Sequence, residues 1–421
     1  MTRRLRLATA QTFRSLQERN FRVFFAGQVV SQIGTWVQSV SLVWLVLTLT
    51  RSGVAVGVTT ALQFLPVLVL GPWGGLAADR FDKRRLLITA QALAGLQALA
   101  MGVLVLAGAA SVPVIYALTI VFGLITALDN PVRRAFVVEL VDSKDVPNAV
   151  GLYSALMTGS RVVGPALAGM LIAGVGVGWC FVVNAVSYVA VLVALGRMDP
   201  TGFRSPGRGV RTRGQLREGF AYVWRTPQLR LPILLVAVIG TFAFNYPVLL
   251  PLLAERTLHG NASTFTLLYS TMSVGSLAGA LVIARRSRIG GRWLARAALV
   301  YSAALTLLAL APNLALALAA AVPVGLTGIL VLSGSNSALQ LHARPDMRGR
   351  VNALFAVVFL GSTPVGGPVA GWVAEHFGVR AGLGLGAAAT ALAGAVALLA
   401  VRRFRAGSAS DEPVPAAATA A

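Results

Sequence analysis

Apolar runs of membrane length, separated by short polar segments, repeat along the whole chain. A helix crosses a bilayer with about 17–25 apolar residues, and twelve stretches reach that length. They lie near 22–50, 53–78, 86–108, 113–130, 148–175 and 178–197, then near 230–254, 264–284, 293–311, 313–334, 351–374 and 380–401. The pattern predicts an all-α membrane protein with twelve transmembrane helices in two six-helix halves, residues 1–197 and 230–401. Between them, at 198–229, Pro200, Pro206, glycines and arginines predict a cytoplasmic linker with a short amphipathic helix near Leu216–Trp224. Residues 402–421 are expected to form a disordered cytoplasmic tail. Only Pro312 and Asn313 part the ninth span from the tenth.

Composition agrees with this reading: 56% of the 421 residues are hydrophobic and 12% are charged, too apolar a balance for a soluble protein. The net charge of +22 raises the question of nucleic acid, and its distribution answers it. With both termini on one side, all but four of the 36 Lys and Arg residues fall on that side. Arg51, Arg256 and Arg380 fall on the other, and Arg161 lies within a span. This is the positive-inside asymmetry of a multi-pass protein. It predicts cytoplasmic termini and a linker touching anionic lipid headgroups, with no nucleic-acid partner. Arg dominates Lys so heavily that a GC-rich bacterial genome is suggested, hence a bacterial cytoplasmic (inner) membrane. The first apolar run is too long for a cleavable signal peptide. Cys180 is the single cysteine, so no intramolecular disulfide exists.

The densest charge follows the second span, in the stretch GPWGGLAADRFDKRRLL from Gly71 to Leu87. Gly71 and Gly75 form a small-xxx-small pair that favours close helix approach. Asp79 ends the apolar run, where a carboxylate is costly without a cation or a helix N-terminus. In the first span, Gln28, Ser31, Gln32, Thr35, Gln38 and Ser39 fall within roughly a 120° arc. Lipid gives such a stripe no benefit, so it is expected to line a water-filled cavity, with interhelical hydrogen bonding as the competing reading. Trp36 and Trp44 supply aromatic wall or interfacial anchors. In the seventh span, Asn245 and Tyr246 precede Pro247 and Pro251, a break that suits a gate.

Gly75, Asp79, Arg80, Lys83 and Arg84 resemble the loop motif between helices two and three of the major facilitator superfamily, with Asp82 where most members carry glycine. ADRFDKRRLL, with SQIGTWVQSVSLVWLVLTLT upstream, is similar to the branch of enterobactin exporters and macrolide and multidrug efflux proteins. The resemblance implies that these residues latch the two halves at the cytoplasmic face, with Asp129 at the end of span four pairing a latch arginine. The residues alone allow another role, with Asp129 or Asn130 capping a short helix that starts at Pro131. Arg161, Gly164, Pro165 and Gly169, in GSRVVGPALAG of span five, resemble the superfamily's antiporter motif, although Met170 replaces the second closing glycine. Arg161 sits roughly 20 Å into its span. There it is a site candidate by default or a structural partner of a backbone carbonyl. Asn148 before Gly164-Pro165 and Asn352 before Gly367-Pro368 mark two related halves.

Enzyme chemistry is missing from the inventory. Lys83 and Lys144 are the only lysines and neither sits in a phosphate-binding G-x-x-x-x-G-K-[ST] loop. His259, His342 and His376 lack metal-ligand spacing, so no cofactor or metal is expected. Gly382, Gly384 and Gly386 lie inside an apolar helix with no strand before them, unlike a dinucleotide site. No acid lies near mid-span, which leaves Asp129 as the candidate proton-coupling group. The reading is a monomeric secondary exporter of amphiphilic small molecules working by alternating access. Proton antiport is implied by the resemblance. A solute uptake carrier on the same fold, or a non-transporting membrane receptor, is the alternative.

Overall fold

The structure, a computed structural model, describes residues 12–204, 215–286 and 289–409. Among them there are helices, turns and no strands, and twelve segments are long and apolar enough to cross a membrane. In the first half these are α1 (Arg19–Thr50), α2 (Gly53–Arg80), α3 (Lys83–Leu106), α4 (Val112–Glu139), α5 (Val146–Val175) and α6 (Val177–Gly196). The linker carries the amphipathic α7 (Gln215–Arg225), one residue longer at each end than expected. The seventh span is broken into α8 (Pro227–Phe242) and α9 (Tyr246–Leu252), followed by a π turn, Leu253–Thr257. Then come α10 (Ala262–Ala284), α11 (Gly291–Leu310), α12 (Leu314–His342), α13 (Arg348–Phe377) and α14 (Val379–Ala409).

Two expectations about boundaries need correction. α4 does not stop near residue 130 but passes through Pro131 to Glu139. A proline within a packed transmembrane helix is tolerated because neighbouring groups satisfy the freed carbonyl, so neither Asp129 nor Asn130 caps a new helix. The tail is helical as far as Ala409, and residues 410–421 lie outside the described residues. The division of spans nine and ten does form, with the Asn313 side chain accepting from the Leu316 amide at 3.0 Å to cap α12.

Successive spans cross in opposite senses, so the loops alternate between two faces. One is the basic face of the Lys83 hairpin and the linker. The other, the far face, carries Arg51, Arg256 and Gly378. At the far face one hydrophobic core runs through both halves, taking in Val46, Leu47 and Val56 together with Leu249, Leu253, Phe265, Leu268 and Ala370. At the basic face the core is divided. Phe24, Leu87, Phe136 and Leu195 make one cluster in the first half, and Leu229, Ile233, Leu339 and Val351 make another in the second.

Glycine sets how closely the halves meet. A Cβ on Gly57 or Gly371 would collide with the carbonyl of Gly367 or Gly53 respectively, so α2 and α13 touch backbone to backbone. At Gly169 a Cβ would strike Thr266 Oγ1, which brings α5 equally close to α10. A cleft therefore closes at the far face and opens toward the basic one.

Candidate functional site

At mid-depth the cleft is walled by both halves. The rings of Trp36 on α1 and Tyr269 on α10 have centroids 6.2 Å apart, and the Arg161 guanidinium of α5 lies 5.1 Å from the Trp36 centroid. Gly164 makes this possible: its hydrogen faces the Trp36 side chain, so α5 can pack onto α1. Farther out, Trp44 stacks on Phe265 at 6.2 Å across the same junction. Pro165, Gly164 and Gly169 are all buried, whereas Met170 is 63% exposed. The departure from the antiporter pattern at Met170 thus falls on the outward side of the helix.

The glutamines of α1 are not cavity lining in this conformation. Gln28, Gln32 and Gln38 are 1%, 5% and 2% exposed. Gln38 donates to Gln97 of α3 at 3.1 Å and accepts from Asn184 of α6 at 2.7 Å. Gln28 accepts from Arg133 at 2.9 Å and lies 3.4 Å from the Gln32 amide. Interhelical bonding, the competing reading, is what forms, because a buried amide has no water to satisfy it. Thr35 and Ser39 are partly exposed but turn their hydroxyls onto backbone carbonyls, and Thr35 also meets the Tyr188 hydroxyl at 3.3 Å. Asn245 and Tyr246 stand at the break in span seven, yet both are buried within the second half. Asn245 donates to the Thr241 carbonyl at 2.7 Å, and Tyr246 bonds the Tyr301 hydroxyl.

Asp129 is buried and pairs with Arg133 one turn along α4, and it also accepts from Gln91 of α3 at 2.7 Å. No latch arginine holds it. Arg84 instead donates to the carbonyls of Leu195 and Gly196, at 2.7 and 3.0 Å, and so closes the C-terminal end of α6. Lys83 bonds Glu139 at 2.6 Å. Asp82 caps α3 by accepting from the Arg85 amide at 2.7 Å, which gives this residue a use where the family carries glycine. Asp79 and Arg80 are exposed on the last turn of α2. Gly74 makes a close helix contact there, and Gly71 does not. A Cβ at Gly74 would strike the Ala127 carbonyl, and one at Gly71 would meet nothing within 4 Å.

Sequence reasoning passed over Arg133, Gln91, Tyr188 and Tyr269. Arg133 had a readable signal, since it follows Asp129 by four residues, but ending the span at residue 130 placed it in a loop. A contact at the far face was also missed. The Glu375 carboxylate of α13 accepts from the Ser52 hydroxyl at 2.7 Å and from the Val54 amide at 3.0 Å, and Arg256 donates to the Arg51 carbonyl.

Known proteins resemble this chain over most of its length. The Staphyloferrin A transporter of Staphylococcus aureus is 27% identical over 62% of the chain and 66% of its own length. The Multidrug efflux pump Tap of Mycolicibacterium fortuitum is 27% identical over 83% of the chain and 87% of its own. In fold, the chain is similar to a bacterial homologue of the human lysosomal transporter Spinster, solved in an inward-facing and occupied conformation. The TM-score is 0.73 at 16% identity, covering 94% of this chain and 98% of that one. The model of the transmembrane secretion effectors matches residues 10–419, and the chain belongs to that family of major facilitator transporters, which are not enzymes.

Proposed function

We propose that the protein is a secondary active exporter of amphiphilic small molecules, drugs or siderophore-like compounds, driven by proton antiport across a bacterial inner membrane with both termini in the cytoplasm. The observation that carries this reading is the core that is continuous at the far face and divided at the basic face, with Trp36, Arg161 and Tyr269 between the halves at mid-depth. A transporter must expose one site to each side in turn, and two packed halves rocking about that site provide the motion. A relative named as a multidrug efflux pump supports the cargo class and the direction, and one named as a Staphyloferrin A transporter supports small-molecule cargo. In the opposite state the Asp79, Arg80 and Arg84 region closes the basic face. Asp129, with its buried partner Arg133, is the carboxylate offered for proton exchange.

The test is efflux of dyes, macrolides and siderophores from a sensitive host, with and without a proton uncoupler. Expression should deplete cargo, and the uncoupler should abolish depletion. Accumulation in place of depletion would make the protein an uptake carrier. Depletion that survives the uncoupler removes proton antiport. Asp79→Asn, at wild-type expression, should reduce efflux, and unchanged efflux counts against the latch.

A further inference from the structure

Arg161 stands halfway along the 30-residue α5, at a depth where a guanidinium is costly unless something compensates its charge. Among the described residues no carboxylate pairs with it and no hydrogen bond holds its guanidinium. Its neighbours are the Trp36 ring at 5.1 Å and, within electrostatic range, Tyr269. A cation–π contact offsets only part of that cost. The buried acids of the first half are already neutralised, Asp129 by Arg133, Glu139 by Lys83 and Asp145 by Arg14. Yet the Arg161 side chain is exposed at the junction of α1, α5 and α10, where the halves part toward the basic face. Among the described residues the counter-charge is therefore missing, and its place is accessible.

We propose that Arg161 is the anion-recognition group of the cleft and that the cargo is an amphiphilic carboxylate. This rests on the transporter reading above and narrows its cargo. A guanidinium presents paired N–H donors that match a carboxylate in two parallel bonds, which an ammonium does not reproduce. The apolar body of the cargo lies against Trp36 and Tyr269. Those rings supply area without charge, so the Arg161 cation beside them decides which molecules are held. Carboxylate binding at Arg161 also neutralises the midplane before the halves rock, and this makes the loaded carrier the one that crosses.

The experiment uses the purified full-length protein in detergent. Dansyl-leucine and its neutral methyl ester are titrated by energy transfer from tryptophan. The wild type should bind the acid about 10- to 100-fold more tightly than the ester, the range of a charge-assisted pair. Arg161→Gln should bring acid affinity down to that of the ester and leave ester affinity unchanged, which also certifies the fold. Arg161→Lys should keep part of the preference. A wild type that binds the acid no better than the ester, or binds neither, overturns the proposal. So does an Arg161→Gln protein with an unaltered acid-to-ester ratio, or one weakened equally for both. Displacement of the acid by short-chain phosphatidylglycerol at lower concentration than the acid itself would assign the group to lipid and overturn the cargo. Proteoliposomes separate the two readings. Ester transport without acid preference sinks only this proposal, whereas Arg161-dependent acid binding with no flux under any gradient sinks only the transporter.

Discussion

Replacing Glu375 by glutamine should loosen the far face. The carboxylate belongs to the second half, but both of its donors, Ser52 Oγ at 2.7 Å and the Val54 amide at 3.0 Å, belong to the N-terminal end of α2, Ser52 as its N-cap. It therefore meets the positive end of a helix dipole as well as two donors. Arg256 does the reverse, donating to the Arg51 carbonyl at the C-terminal end of α1. Each places a charge of the second half on a complementary helix end of the first. A charge-assisted hydrogen bond contributes about 1.5–3 kcal/mol when shielded. Glu375 is exposed, so solvent screening brings the whole contact to about 1–2 kcal/mol. Glutamine keeps the length and one acceptor oxygen and loses the charge. The ratio of closed to open far face should then fall about 5- to 30-fold. Spin labels at Ala109→Cys and Ser263→Cys, both exposed at the far face on opposite halves, report it in a Cys180→Ala background. The long-distance component should grow by that factor, and Arg256→Ala should move it the same way. Identical distance distributions in the wild type, Glu375→Gln and Glu375→Gln/Arg256→Ala would refute the clasp, leaving the glycine contacts as the whole of the closure.

Three more outcomes follow from the packing. Gly371→Val puts a side chain onto the Gly53 carbonyl, so the same spin-label pair should report a far face held open, with efflux lost and expression retained. Asp129→Ala leaves Arg133 buried without its counter-ion and should cost about 3–5 kcal/mol, read as a lower melting temperature in detergent, and Arg133→Met added to it should recover part of the loss. An unchanged melt would show that the pair carries no such burden. Gln38→Leu removes bonds to Gln97 and Asn184, about 0.6–1.7 kcal/mol each, and should lower stability while the cargo profile stays the same. An altered cargo profile with unchanged stability would return that glutamine to the cavity.

The twelve spans were legible because the bilayer imposes their length on composition itself. Within one helix, spacing also carries information: Asp129 and Arg133 are four apart, and that alone puts them on one face. What spacing leaves open is rotation about the helix axis and the identity of the neighbour. The α1 stripe illustrates this. Its arc of Gln28, Gln32 and Gln38 is real, and a lipid-free surface was correctly required, but amides of α3 and α6 supply the same polar surroundings as a water-filled cavity. Only the positions of Gln97 and Asn184 separate the two. Gly74 teaches the same point, since a three-residue spacer marks one helix face but cannot say that α4 approaches one residue away from it. Long-range partners such as Glu375 and Ser52, 323 residues apart, leave no local trace at all. Arg161 is the exception that sequence could place, because a lone cation at membrane depth is improbable for packing reasons whatever surrounds it. The structure adds that, among the described residues, it meets an aromatic face and no carboxylate, and this is why its partner is sought among the molecules that enter the cleft.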